Sequence, residues 1–240
     1  MKTAFITGAN KGIGFETAKQ MAKLGYFVYL GSRNKNKGQE AVESLKASGN
    51  EQVDFIPLDV TDSKSIKQAR TQLESKIDSL DILINNAGIS GEQPQKFSTD
   101  NIKTLRKLFD TNFFGTVEVT QQFLPLLSKA KKPVIINVSS EVGSLDIHTT
   151  TGKDPNLEIW SAYGASKTAV NAFTVMLKNE LEDTPFRVYS VTPGYTSTDL
   201  NNYQGTKTVE EGAKPIVQVA TQSDSFTSGK FYGEQGEVTW

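Results

Sequence analysis

The sequence contains no cysteine, which excludes disulfides and thiolate-bound metals. It has a single histidine, His148, so metal sites built from several histidines are excluded and no metal is expected. Neither sign of charge is in excess: 26 Lys and Arg face 27 Asp and Glu, for a net charge of −1. Such a chain carries no general electrostatic footprint for nucleic acid or an anionic membrane, and neither is expected as a partner. The densest basic cluster, SKAKKP from Ser128 to Pro133, reads as a solvated helix end whose lysines complement the helix dipole. No apolar run reaches membrane-spanning length. The first residues enter a strand-like run at once, without a signal-peptide pattern, and cytoplasm is the default expectation. Linkers, repeats and low-complexity segments are also missing, as is the G-x-x-x-x-G-K-[ST] loop of phosphate-binding ATPases.

What the 240 residues do contain suits one large α/β domain spanning 1–240. Short β-branched or aromatic runs recur at 3–7, 26–30, 53–57, 81–85, 133–138 and 186–191. They are nearly continuous rather than alternating, as strands buried on both faces of a parallel sheet require. Helical patterns fill the intervals at 12–24, 35–48, 62–79, about 98–129 and about 161–182, with Thr61 or Asp62 as a cap for the third. This alternation predicts a Rossmann-type, doubly wound parallel sheet of about seven strands, with helices on both faces.

Between the first strand and first helix stands TGANKGIGF, with Gly8, Gly12 and Gly14 spaced G-x-x-x-G-x-G. Glycines there permit a tight turn and let the backbone come close to a pyrophosphate, which the helix N-terminus attracts. An acid ending the second strand would bind ribose hydroxyls and favour NAD. The strand instead ends YLGSRN, placing Arg33 where the acid is missing, and Lys11 sits inside the glycine loop. Two cations suit the 2′-phosphate of NADP, at about 1.5–3 kcal/mol per charge-assisted contact.

These features stand in an ordered series: TGANKGIG (7–14), LDVTD (58–62), NNAG (85–88), TNFFGT (111–116), NVSS (137–140), YGASK (163–167) and TPGYTSTDL (192–200). In this the chain resembles the short-chain dehydrogenase/reductase family over essentially its whole length, and within it the carbonyl reductases. The resemblance implies NADP(H) as cofactor and a small-molecule carbonyl as substrate. It implies that Gly8, Gly12 and Gly14 hold the pyrophosphate, with Asn10 and Ile13 in the same turn, and that Lys11 and Arg33 face the 2′-phosphate. Asp59 and Val60 would contact adenine. Asn86, Ala87 and Gly88 would line the adenosine side and steady the sheet. Pro193, Gly194 and Thr198 would border the nicotinamide.

Tyr163 and Lys167 lie four apart on a predicted helix and so share a face. A carbonyl receiving hydride needs a proton on its oxygen. A phenol can give it, and a neighbouring ammonium would lower its ordinary pKa of about 10. Lys167 is assigned that part and, by the resemblance, a grip on the ribose. By the resemblance, Ser140 rather than Ser139 would polarise the carbonyl. Asn112 would support a water-linked proton path to Lys167 and a bend in the long helix. The expected reaction is reduction of a ketone or aldehyde. An oxidising alcohol or sugar dehydrogenase, or a non-catalytic NADP sensor, are the alternatives.

One departure from the family stands out. Ser140 and Tyr163 are 23 residues apart, where many relatives have about ten fewer. The insertion, near 141–160, is expected to edge the substrate pocket with Ile147, Leu157, Ile159 and Trp160 as an apolar wall. His148 is expected to be an exposed loop residue without a catalytic part. A second lip is expected at 195–205, with Tyr195 and Tyr203. Monomer and homo-oligomer both stay open.

Overall fold

The computed structural model describes residues 1–150 and 159–240. Eight strands form one sheet: β1 Thr3–Thr7, β2 Phe27–Ser32, β3 Val53–Pro57, β4 Ile82–Asn85, β5 Val134–Val138, β6 Arg187–Val191, β7 Phe231–Gly233 and β8 Gly236–Val238. Their order is β3-β2-β1-β4-β5-β6-β7-β8. All neighbours pair parallel except β7 and β8, which form an antiparallel edge. The six expected strands fall within a residue or two of their positions. The last two, three residues each and broken by glycine, carry too few apolar residues to announce themselves in a sequence.

The helices are α1 Gly12–Lys23, α2 Lys35–Ala47, α3 Ser63–Glu74, α4 Ile102–Phe109, α5 Gly115–Leu127, α6 Leu145–Thr150, α7 Ser161–Glu180 and α8 Val209–Thr221. Side chains alternate across each strand, and the core is accordingly double. Ala4 and Ile6 of β1 pack with Met21 of α1 and Ile216 of α8 on one face. Phe5 packs with Ile66 and Leu73 of α3, Phe123 of α5 and Leu177 of α7 on the other. Of the two caps considered for α3, Asp62 is the one used: its carboxylate accepts from Lys64 N–H at 3.0 Å.

The long helix expected at 98–129 is divided. Residues Asp110–Phe114 form a π-helical turn between α4 and α5. Such turns widen a helix locally and are frequent at functional sites. Its centre is Asn112, fully buried. The Asn112 Oδ1 accepts from Ile89 N–H, and Nδ2 donates to Ile89 C=O and to Ser166 Oγ, each at 2.9 Å.

The strands' C-terminal ends carry a buried polar row. Asn85 of β4 is level with Asn137 of β5, which is level with Ser190 of β6. Asn85 Nδ2 donates to Thr120 Oγ1 and Asn137 Oδ1, and Asn137 Nδ2 donates to Thr174 Oγ1, all at 2.9 Å. These bonds tie α5 and α7 to the sheet just beneath the edge where open α/β folds bind ligands.

Candidate active site

A cleft of about 500 Å³ opens along that edge. Its walls are the ends of β1 to β6 and the loops that follow them. Every residue expected to hold the cofactor borders it, from Gly8 and Arg33 to Gly194 and Thr198, as do Ser140, Tyr163 and Lys167. Asn112 lies behind the wall.

At one end the glycine turn fits a pyrophosphate. Gly8 and Gly12 have φ of +65° and +57°, in the left-handed region. A Cβ on Gly8 would come 2.8 Å from Ala87 Cα, so the turn closes directly on the end of β4. Thr7 Oγ1 accepts from the N–H groups of Asn86 and Ala87 at 2.9 Å. Asn86 Nδ2 returns a bond to Thr7 C=O at 2.9 Å. Among the described residues no side chain caps α1, and no acid stands in its first turn, which leaves the helix N-terminus open to an anion.

The two cations at this end differ. Lys11, expected at the 2′-phosphate, ion-pairs with Asp199 across the mouth of the cleft. Arg33, exposed, has no ion pair among the described residues. Asp199 stands in the TPGYTSTDL motif, and its pairing with a residue 188 positions away has no signature in the sequence.

At the other end Tyr163 and Lys167, on α7, are both buried. The Lys167 ammonium lies 5.7 Å from the centroid of the Tyr163 ring and donates to Val138 C=O at 2.8 Å. The sequence led to an expectation that Lys167 lowers the phenol. The structure reverses this: burial pushes Tyr163 up to about 12, against a weaker downward pull from its hydrogen bond with Ser140. Burial also pushes Lys167 down to about 8. Desolvation sets both directions, and the ammonium is turned to a backbone carbonyl rather than to the phenol oxygen. At neutral pH the pair is therefore a protonated phenol beside an ammonium.

Ser140, at the end of β5, is half-buried and acts on the phenol. Ser139 also borders the cleft, but its hydroxyl is directed to Lys167 C=O at 3.4 Å. The side chain of Asn112 is taken up by Ile89 and Ser166, and among the described residues no hydrogen bond joins it to Lys167.

The insertion meets its expectation in part. Trp160 borders the cleft and meets Tyr163 edge-on at 5.9 Å between ring centroids. Val142 does so too, although the sequence did not mark it. Ile147 and Ile159 do not border the cleft, and Leu157 lies outside the described residues. His148 sits on α6 instead of a loop. It is half-buried, with Nε2 2.9 Å from Val142 C=O. At the other lip Tyr195 borders the cleft, while Tyr203 is exposed and turned away from it. Among the described residues there is no cluster of metal-ligating side chains, and no helix is long and apolar enough to cross a membrane.

Comparison with known proteins gives the same outline. The short chain dehydrogenase family model matches residues 2–208. Short-chain dehydrogenase anuI of Penicillium roqueforti (strain FM164) is 38% identical over 226 residues, covering 90% of this chain and 87% of that protein. The structure of salutaridine reductase from Papaver somniferum matches with a TM-score of 0.85 at 30% identity, over 97% of this chain and 99% of that one. A short chain dehydrogenase of Escherichia coli CFT073, solved in complex with NADPH, matches with a TM-score of 0.85 at 25% identity, over 98% and 96% of the two chains. The chain belongs to the short-chain dehydrogenase/reductase family, oxidoreductases that work on CH–OH and C=O groups with a nicotinamide cofactor.

Proposed function

We propose that the protein reduces a ketone or aldehyde to an alcohol with NADPH, Tyr163 giving the proton. The observation that carries this reading is the buried phenol of Tyr163, which holds its proton beside Ser140 at one end of a cleft whose other end is a helix N-terminus with no side-chain cap among the described residues. A group that holds its proton at neutral pH is suited to donate it, and less suited to abstract one. The likeness to a salutaridine reductase and to a protein solved with NADPH supports the reading. The missing acid after β2, and Arg33 without an ion pair among the described residues, favour the phosphorylated cofactor.

The reduced nicotinamide supplies hydride when bound. Ser140 donates a hydrogen bond to the substrate carbonyl and polarises it. Tyr163 Oη–H gives its proton to the same oxygen, and the phenolate left behind is stabilised by the Lys167 ammonium in a site of low dielectric. Trp160 and Val142 supply apolar wall that excludes water and packs the substrate's hydrocarbon. Asn112 positions the site from behind, holding Ile89 at the cleft and α7 through Ser166. The experiment is to follow NADPH absorbance with a panel of ketones and aldehydes. Turnover of at least one is expected. Binding of NADPH without turnover of any would favour the non-catalytic sensor.

The pKa directions fix the pH dependence. Below about pH 8 Lys167 is charged and Tyr163 protonated, so reduction runs at its plateau. Above that pH the ammonium is lost, its stabilisation of the phenolate goes with it, and kcat for reduction falls. Oxidation of the corresponding alcohol needs the phenolate, whose share rises about tenfold per pH unit below the phenol's pKa. The oxidative rate therefore climbs with pH. Steady-state rates in both directions from pH 6 to 10 check this, and an oxidative rate indifferent to pH would be inconsistent with the phenol as base.

A further inference from the structure

The first turn of α7 presents a problem that its own sequence does not solve. Trp160 stands at the N-cap and has no side chain able to accept from the first-turn N–H groups. The third helical residue, whose N–H a capping serine or aspartate ordinarily receives, is Tyr163 itself. That N–H donates instead to Gln95 Oε1 at 2.9 Å, 68 residues upstream. Gln95 is 1% exposed, borders no part of the cleft, and lies in a segment with no helical or strand periodicity.

The other end of the same amide is equally committed. Gln95 Nε2 donates to Ser90 C=O at 2.6 Å. Ser90 borders the cleft, and its Oγ donates to Leu200 C=O at 2.7 Å, on the opposite lip. Gln95 N–H donates to Ile159 C=O at 3.0 Å, fixing the chain just before α7. Gly91, with φ +73°, leaves the room this needs; a Cβ there would stand 3.0 Å from Gln95 Nε2. One buried amide thus joins the helix turn carrying the phenol, the loop after β4 and, through Ser90, the lip after β6.

We propose that Gln95 is a positioning residue for the reaction, capping α7 at Tyr163 from outside the helix and setting the phenol against Ser140 and the loop that edges the cleft. The proposal rests on the reading of Tyr163 as proton donor. The side-chain amide accepts from Tyr163 N–H and donates to Ser90 C=O at once, and a carboxyl of the same length does both only when protonated. Gln95→Leu keeps the approximate bulk and removes both bonds. Gln95→Glu keeps the acceptor, and regains the donor only as its buried carboxyl takes up a proton.

The test has two arms. Backbone amide exchange followed by NMR should show the Tyr163 N–H exchanging on the order of tenfold or more faster in Gln95→Leu than in wild type. In steady-state reduction, kcat for Gln95→Leu should fall on the order of tenfold or more, with KM for NADPH within about twofold, since Gln95 lies away from the cofactor end. The ratio of Gln95→Glu to wild-type kcat should climb as pH falls, a signature that loss of packing does not produce. Unchanged exchange at Tyr163 overturns the cap. Faster exchange with unchanged kcat, or a flat Gln95→Glu ratio, overturns the positioning role. If Gln95→Leu does not fold, exchange and the pH-dependent ratio in Gln95→Glu decide. Wild-type protein that turns over no carbonyl sinks the proposed reaction instead, and the exchange arm then decides the cap alone.

Discussion

Tyr163→Phe should lose carbonyl reduction by a factor on the order of 10²–10⁴, the usual worth of a positioned general acid. NADPH affinity, read by fluorescence titration, should stay within about twofold. The substitution is narrow because of what it leaves in place. Phenylalanine retains the ring that packs edge-on against Trp160 and lies 5.7 Å from the Lys167 ammonium. The bond from the residue 163 N–H to Gln95 is a backbone bond and is untouched. Only the hydroxyl goes, and with it one partner of Ser140. The site then lacks the phenol proton that the proposed mechanism places on the reduced oxygen. Turnover that survives this change would remove Tyr163 from the mechanism and move the search to another donor bordering the cleft.

Arg33→Asp should shift the ratio of kcat/KM for NADPH over NADH toward NADH on the order of a hundredfold. A charge-assisted contact to the 2′-phosphate is worth about 1.5–3 kcal/mol, and the introduced carboxylate adds repulsion of the phosphate and a new acceptor for ribose hydroxyls. The substitution is placed at Arg33 rather than Lys11, because Lys11 is already paired with Asp199 while Arg33 has no ion pair among the described residues. The residue is exposed, so the fold should not register the change. A ratio that stays where it was would place Arg33 away from the cofactor.

The sheet was legible because its signal is local. Near-continuous apolar runs such as PVIINV end within a residue of β5 as it stands, since burial on both faces favours apolar residues along the strand and admits a polar one, Asn137, only where it is hydrogen-bonded. The glycine turn was legible for a related reason: glycine takes the left-handed backbone of Gly8 and Gly12 without steric cost. The expected site residues from Gly8 to Thr198 are all brought to one cleft, except Asn112, which stands behind it. What escaped the sequence depends on partners far apart in the chain. Gln95 has no periodicity to mark it and meets Tyr163 only after folding. The π-helical turn around Asn112 arises where its side chain grips Ile89 from 23 residues away. The direction of the Tyr163 pKa was misjudged because a sequence reveals a neighbouring lysine but not the loss of water around both groups, which is the larger effect.

The most direct measurement follows the hydride itself. Wild-type protein is given NADPH deuterated at both C4 positions of its reduced ring together with a ketone from the panel, and the alcohol is examined by mass spectrometry. One deuterium on the carbon that bears the new hydroxyl, absent from the Tyr163→Phe reaction, is the predicted result. Wild-type protein that binds NADPH yet yields no deuterated alcohol from any ketone or aldehyde would contradict the account.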